Sequence, residues 1–185
     1  GSQSFETTVK YFRLADEYAP LYRRSAFQKH WASLQRNICA LMFTEGDKEA
    51  LIRNIFDDIP RTGDHFKTIA LGRLFNYFGS VGDFERAADC ARRSITIGEA
   101  ANTMMVATTA YGFLARIALA KGEEAEAARL IRRLLRLCQE NGNYEYFRMR
   151  RAYEPVLAFA VTHGIEPDFA KQMMKFAGCK MKKAY

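Results

Sequence analysis

A chain of 185 residues, 49% hydrophobic and 26% charged, has the length of one domain. It can bury roughly 70% of its unfolded surface, so it needs neither a disulfide nor a structural metal to fold. Eighteen Arg and ten Lys against twenty-one acids give a net charge of +7, which suits an anionic partner but is spread along the chain and not gathered into a basic block.

The chain opens on Gly1-Ser2 without a methionine, which resembles a tag-cleavage scar; 3–178 then reads as one helical domain and 179–185 as a basic tail. Ser4 to Tyr18 places Phe5, Val9 and Phe12 toward one side and predicts a helix that ends near Pro20. Phe27 to Thr44 carries Phe27, Trp31, Leu34, Ile38, Leu41 and Met42 at helical spacing. After Glu45-Gly46-Asp47, a short helix to Ile59 turns Leu51, Ile52, Ile55 and Phe56 inward and stops at Pro60 and Gly63. Asp64 is placed to cap the next helix, which runs to Tyr77 or Phe78; beyond Gly79-Ser80-Val81-Gly82, another starts at Asp83 with Phe84, Ala87, Ala88, Ala91 and Ile95 as its buried face.

Thr103 to Gln139 reads as two antiparallel helices joined at Lys121-Gly122-Glu123. The first is almost wholly small and apolar with one charge, Arg116, and can sit among several neighbours. The second has Glu123, Glu124 and Glu126 at its start and Arg132, Arg133 and Arg136 near its end, the order that a helix dipole favours. Its apolar face is Ala127, Ala128, Ile131, Leu134, Leu135 and Cys138. Asn141-Gly142-Asn143 stops it; Tyr144 to His163 predicts a long helix broken or kinked by Pro155, and Asp168 to Ala177 a last one ending at Gly178, with Pro167 at its first position. No stretch alternates with period two, so the fold is predicted to be all-α.

The turns centre on Gly46, Gly82, Gly122 and Gly164, at spacings of 36, 40 and 42, each with an acid close behind: Asp47, Asp83, Glu123 and Glu166. Such a period signals a helical solenoid. Leu114, Ala115, Gly122 and Ala127 resemble the tetratricopeptide repeat, as do Leu74, Phe78, Gly82 and Ala87, with Phe75 in place of the small residue. Ile38, Cys39 and Gly46 fit with Leu51 where alanine is expected, and Val156 and Gly164 fit with Phe169 there; the units are longer than the usual 34. The resemblance implies a right-handed superhelical solenoid of about four TPR-like antiparallel helix pairs. Degenerate repeats of this kind are similar to the helical region of MalT-like bacterial transcriptional activators, whose closing segment resembles Phe159 to Ala170.

A catalytic constellation is not legible. Phosphate-loop, nucleophile-elbow and H-E-x-x-H motifs are missing, and His30, His65 and His163 fall on different helix ends or faces. Asp57-Asp58 are adjacent, hence divergent on a helix, and read as solvated. Cys39, Cys90, Cys138 and Cys179 form no C-x-x-C pair and read as reduced, mostly buried thiols of a cytoplasmic protein. The longest uncharged run, Ala100 to Ala115, is shorter than the ~20 apolar residues of a membrane span. No metal, cofactor or enzymatic activity is expected.

A groove is the better candidate. The first helices of stacked pairs line a concave surface, and counting back from the turns places Arg36 and Asn37, Arg73 and Asn76, Phe113 and Arg116, then Arg151 and Glu154 on it. Guanidinium groups beside amides suit carboxylate or phosphate. Arg148, Arg150 and Arg151 with Lys171, Lys175, Lys180, Lys182 and Lys183 make the C-terminal third the most basic, but Tyr144, Tyr146 and Phe147 are expected to pack between repeats and not to stack on bases. The resemblance therefore implies a non-catalytic sensor and interaction region of a cytoplasmic bacterial transcriptional regulator. Its expected partners are a protein or another domain of the parent chain, or a small anionic ligand; DNA would be met only through a separate domain, no membrane is involved, and an exposed end face allows a homodimer. The competing readings are a stand-alone adaptor for acidic peptide segments and a nucleic-acid-binding helical repeat.

Overall fold

A computed structural model of the chain describes residues 26–43, 46–142 and 151–179, together with Thr7, Lys10, Leu14 and Phe147. These residues form α1 (Ala26–Phe43), α2 (Lys48–Asp58), α3 (Asp64–Ser80), α4 (Phe84–Ala100), α5 (Met104–Lys121), α6 (Glu124–Glu140), α7 (Glu154–Thr162) and α8 (Pro167–Phe176), with 3-10 turns at Ile59–Arg61 and Arg151–Tyr153. The described residues contain no strand, and the fold is all-α. The helix proposed for Ser4 to Tyr18 lies outside the described residues except at Thr7, Lys10 and Leu14, which are helical. Pro155 sits in the first turn of α7, and the predicted break falls just before it, at the 3-10 turn.

Gly82, Gly122 and Gly164 take φ of 82, 73 and 65°, the left-handed turn by which one helix hands over to the next. The acids that follow do not all act as caps. Asp47 Oδ1 accepts from the Ala50 N–H at 3.0 Å and Asp83 Oδ1 from the Arg86 N–H at 3.1 Å, whereas Glu123 and Glu166, one methylene longer, make no such bond. Asp64 is not a cap either: Gly63 holds that position, and Asp64 is the first helical residue, paired with Lys67 at 2.7 Å.

The helices stack as hairpins in two layers. α1, α3, α5 and α7 pack side by side in one layer, and each partner helix covers them from the other. Contacts between successive helices of the first layer keep a nearly constant register. Trp31 meets Phe66 with ring centroids 4.1 Å apart; a Cβ at Gly72 would lie 2.9 Å from Val106 Cγ1, and one at Gly79 2.9 Å from the Phe113 ring. Those pairs are 35, 34 and 34 residues apart, although the turns are 36 and 40 apart over the same stretch. Each first-layer helix therefore slides along its axis relative to the one before.

The two glycines of α3, seven residues apart on one face, are sockets for two side chains seven apart on α5. Gly72→Ala is expected to lower stability by about 1 kcal/mol: the ~1 kcal/mol gained in helix propensity is outweighed by a clash with a β-branched side chain that is stiff at χ1. A chemical-denaturation double-mutant cycle with Val106→Ala should show positive coupling, and strictly additive losses would remove Val106 from that socket.

The second layer is joined differently. Arg86 of α4 reaches both carboxylate oxygens of Glu49 on α2, at 3.0 and 3.1 Å; Arg133 of α6 donates to Glu99 Oε1 of α4, at 2.8 and 3.1 Å; and Arg136 of α6 lies 3.9 Å from Glu166 at the start of α8. Buried aromatic and glycine contacts hold the first layer close, while long ionic side chains span the second. In a helical solenoid the first helices of the pairs line the concave side, and the first layer is called the inner face on that expectation.

The core matches the sequence pattern at Ala87, Ala88, Ala91, Ala127, Ile131, Leu134, Leu135 and Cys138, except that Ala128 is only half-buried; Leu130 and Leu137 are buried as well. Phe84 was expected on the buried face of α4 but is 53% exposed, because it begins the helix at the turn edge, ahead of the crossing. Met42, near the open end of α1, is likewise exposed.

Candidate functional site on the inner face

The two layers differ in charge. α1, α3, α5 and α7 carry six bases and two acids, Glu154 and Asp64, the latter paired with Lys67. α2, α4, α6 and α8 carry eleven bases and ten acids. Glu49, Glu85, Glu124 and Glu126 sit in the first turns of second-layer helices, where the dipole favours them, and Glu49, Glu99 and Glu166 lie against arginines across that layer. Within one turn, hydrogen bonds from Arg86 hold the Asp83 carboxyl below the usual range. The first layer keeps an excess of bases.

Arg36 and Asn37 lie on α1, Arg73 and Asn76 on α3, Phe113 and Arg116 on α5, and Glu154 begins α7. Arg36, Arg73, Asn76, Arg116 and Glu154 are exposed, and Asn37 is half-buried. Arg151 belongs to the 3-10 turn before α7, and its side chain lies outside the described residues. The register sorts them. Stepping 35 residues from α1 to α3, as Trp31 and Phe66 do, makes Arg36 level with Leu71 and Asn37 with Gly72, so these two join Arg73 and Asn76 within about 8 Å of axial height.

Arg73 also lies close enough to Cys39 on α1 to oppose the upward push that burial gives that thiol. It makes no ion pair among the described residues. Asn76 Nδ2 donates to the Gly72 carbonyl at 2.7 Å and Asn37 Nδ2 lies 3.5 Å from Ser33 Oγ, so both amides are braced on their own helices.

Arg116 stands apart. At the 34-residue offset Arg73 is level with Ala107, and Arg116, nine residues further along α5, lies about 14 Å away along the axis. Its guanidinium sits 5.7 Å from the centre of the Tyr153 ring. Phe113 is a wall and not a free contact group: its ring rests over Gly79 and 5.1 Å from Phe75.

Met105 was placed within a helix buried on several sides, yet at 65% it is the most exposed large hydrophobic residue described. α5 packs against α3, α4, α6 and α7, so its one open stripe, Met105, Thr109, Arg116 and Ala120, faces the inner side. Stepping back from Arg116 at helical spacing reaches Met105; the helix is so apolar all round that no face stands out by composition.

Other candidates resolve into structure. Asp57 is exposed, but Asp58, read as solvated, is only 8% exposed and its Oδ1 lies 3.0 Å from His30 Nδ1, because the end of α2 packs under the start of α1. His163 stacks on Phe159 with centroids 3.8 Å apart. Phe147 is buried, Lys171 and Lys175 are exposed, and Tyr144, Tyr146, Arg148, Arg150, Lys180, Lys182 and Lys183 lie outside the described residues. Among the described residues no group of three or more His, Cys, Asp or Glu is placed to hold a metal, and no helix is long and apolar enough to cross a membrane.

No family model, curated protein or solved structure matches the chain.

The thiols are free, and burial pushes Cys90 and Cys138 up to about 12. With an aromatic disulfide reagent at pH 8, half-buried Cys39 and Cys179 should react first and Cys90 and Cys138 only as the protein unfolds. Equal rates at all four would contradict the packing of α4 and α6.

Proposed function

We propose that this chain is a non-catalytic, TPR-like sensor and protein-interaction region of a cytoplasmic bacterial transcriptional regulator, binding an anionic ligand or an anionic segment of a partner domain on its inner face. The observation that carries this reading is the charge division: six bases against two acids on α1, α3, α5 and α7, with eleven bases against ten acids on α2, α4, α6 and α8. The cost of gathering like charges along one face is most simply accounted for by a ligand that offsets it. The 34-residue contact register, equal to the tetratricopeptide period, supports the repeat assignment.

The direct test is thermal unfolding against nucleotides, oligosaccharides, acidic peptides and short DNA, followed by titration of any hit. A ligand at about one hundred times its Kd should stabilise the fold by ~2.7 kcal/mol, and Arg73→Glu should remove that stabilisation without changing the unliganded transition. An unchanged affinity in Arg73→Glu would sink the inner-face reading. Stabilisation by acidic peptides alone would make the chain an adaptor, and a steep salt dependence with DNA would favour the nucleic-acid reading.

A further inference from the structure

Asn-Gly occurs once in the sequence, at Asn141-Gly142, where α6 ends. Asn141 caps the helix: its Nδ2 donates to the Leu137 carbonyl at 2.8 Å, and its backbone N–H reaches the same oxygen at 3.1 Å. Both residues are exposed. Gly142 is left-handed, with φ of 61°, and a Cβ there would meet nothing within 4 Å; its N–H makes a weak bond of 3.4 Å to the Gln139 carbonyl. Just behind this cap, in the last turn of α6, Leu137 is 2% exposed and Cys138 is fully buried. The other described asparagines have bulkier followers. Asn37 and Asn54 precede isoleucine and Asn76 precedes tyrosine, all three inside helices, and Asn102 precedes threonine.

We infer that Asn141-Gly142 is a deamidation site whose conversion loosens the last turn of α6 and opens Cys138 to solvent. The Gly142 nitrogen, after losing its proton to hydroxide, attacks Asn141 Cγ. The N–Cγ bond forms as the Cγ–Nδ2 bond breaks; Nδ2 takes up a proton and leaves as ammonia, and water then opens the cyclic imide at either carbonyl, to aspartate or to isoaspartate. Glycine has no side chain to obstruct the approach, whereas a branched isoleucine or threonine does. The cap bond holds Nδ2 on Leu137, so attack waits for that bond to open. Either product is a carboxylate that can no longer donate to Leu137, set beside Glu140 at the helix end where the dipole disfavours negative charge. Isoaspartate also lengthens the backbone by a methylene.

The experiment incubates the full chain at pH 8, native and in urea, and follows it by peptide mapping with mass spectrometry that separates isoaspartate from aspartate. Native samples are then treated with an aromatic disulfide reagent, and the modified thiols are located in the same maps. Asn141 should convert ahead of Asn37, Asn54, Asn76 and Asn102. It should convert faster at pH 8 than at pH 6, because the nitrogen must lose its proton, and faster in urea than in the native chain, because unfolding releases the cap bond. In the converted fraction Cys138 should react roughly 3-fold faster or more, the factor by which a disfavoured terminal charge raises the open population of the turn. Cys90, in α4, should not change. Asn141→Gln, whose longer side chain forms the imide far more slowly, should pass through the same incubation with Cys138 as unreactive as before. Asn141 is exposed, so this variant should keep the wild-type thermal transition.

An Asn141 that converts no faster than those four asparagines in the native chain overturns the site. Equal rates in urea and in the native chain overturn the cap bond as its gate. Conversion that leaves Cys138 as unreactive as in Asn141→Gln overturns the coupling to the end of α6.

Discussion

Phe75→Ala is expected to lower the free energy of unfolding by about 3–5 kcal/mol, the largest loss of any single truncation considered. Phe75 is fully buried among Leu71, Leu74 and Phe78 of the same helix and sets the wall against which the Phe113 ring lies, 5.1 Å away. Removing the ring takes the support from Phe113 as well, so the loss combines the transfer of buried carbon with a cavity at the seam between α3 and α5. Phe113→Ala, on a half-buried ring, should cost clearly less. Urea denaturation with an unchanged slope would report a loss of stability alone. A cost below ~1 kcal/mol for Phe75→Ala would show that the α3–α5 seam collapses without strain, against the close packing described above.

The second large effect comes from adding volume. Ala127 is fully buried five residues past Gly122, as is Ala87 five past Gly82. At these positions the second helix of a hairpin crosses the first near their shared turn, and only a methyl group fits. Ala127→Leu should cost about 1–3 kcal/mol through forced rotamers and helix displacement, although leucine is nearly as good a helix former as alanine. Its thermal midpoint should fall below that of an exposed control, Ala125→Leu, two residues earlier in the same helix. Equal midpoints would mean that the crossing can open.

These alanines also show how much the sequence discloses. Periodicity and the turn glycines located every helix except the start of α7 to within a few residues, because burial of one helix face and the left-handed turn are local demands that sequence states directly; α7, expected from Tyr144, begins at Glu154. At the equivalent positions of the end units stand Leu51 and Phe169, both half-buried. Their departure from the small-residue pattern reflects looser crossings at the ends of the stack. The candidate site was less legible. Counting from turn glycines identifies which helix carries each residue, but relative height depends on how far neighbouring helices slide. That is set by the Gly72–Val106 and Gly79–Phe113 contacts, which no spacing announces. The count therefore ranked Arg116 beside Arg73, and it passed over Met105, whose exposure depends on which four sides of α5 are covered. Asp58 is a similar case: its neighbour Asp57 is solvated, and only the approach of His30 from α1 distinguishes them.

The difference in how the two layers are joined gives the stack the mechanics of a hinge with an adjustable stay. Carbon packed into glycine notches resists shear and keeps its length whatever the solvent. A row of Arg–Glu pairs, each about half exposed, lengthens and slackens as counter-ions screen it. Bending stiffness should then depend on ionic strength while melting temperature scarcely moves.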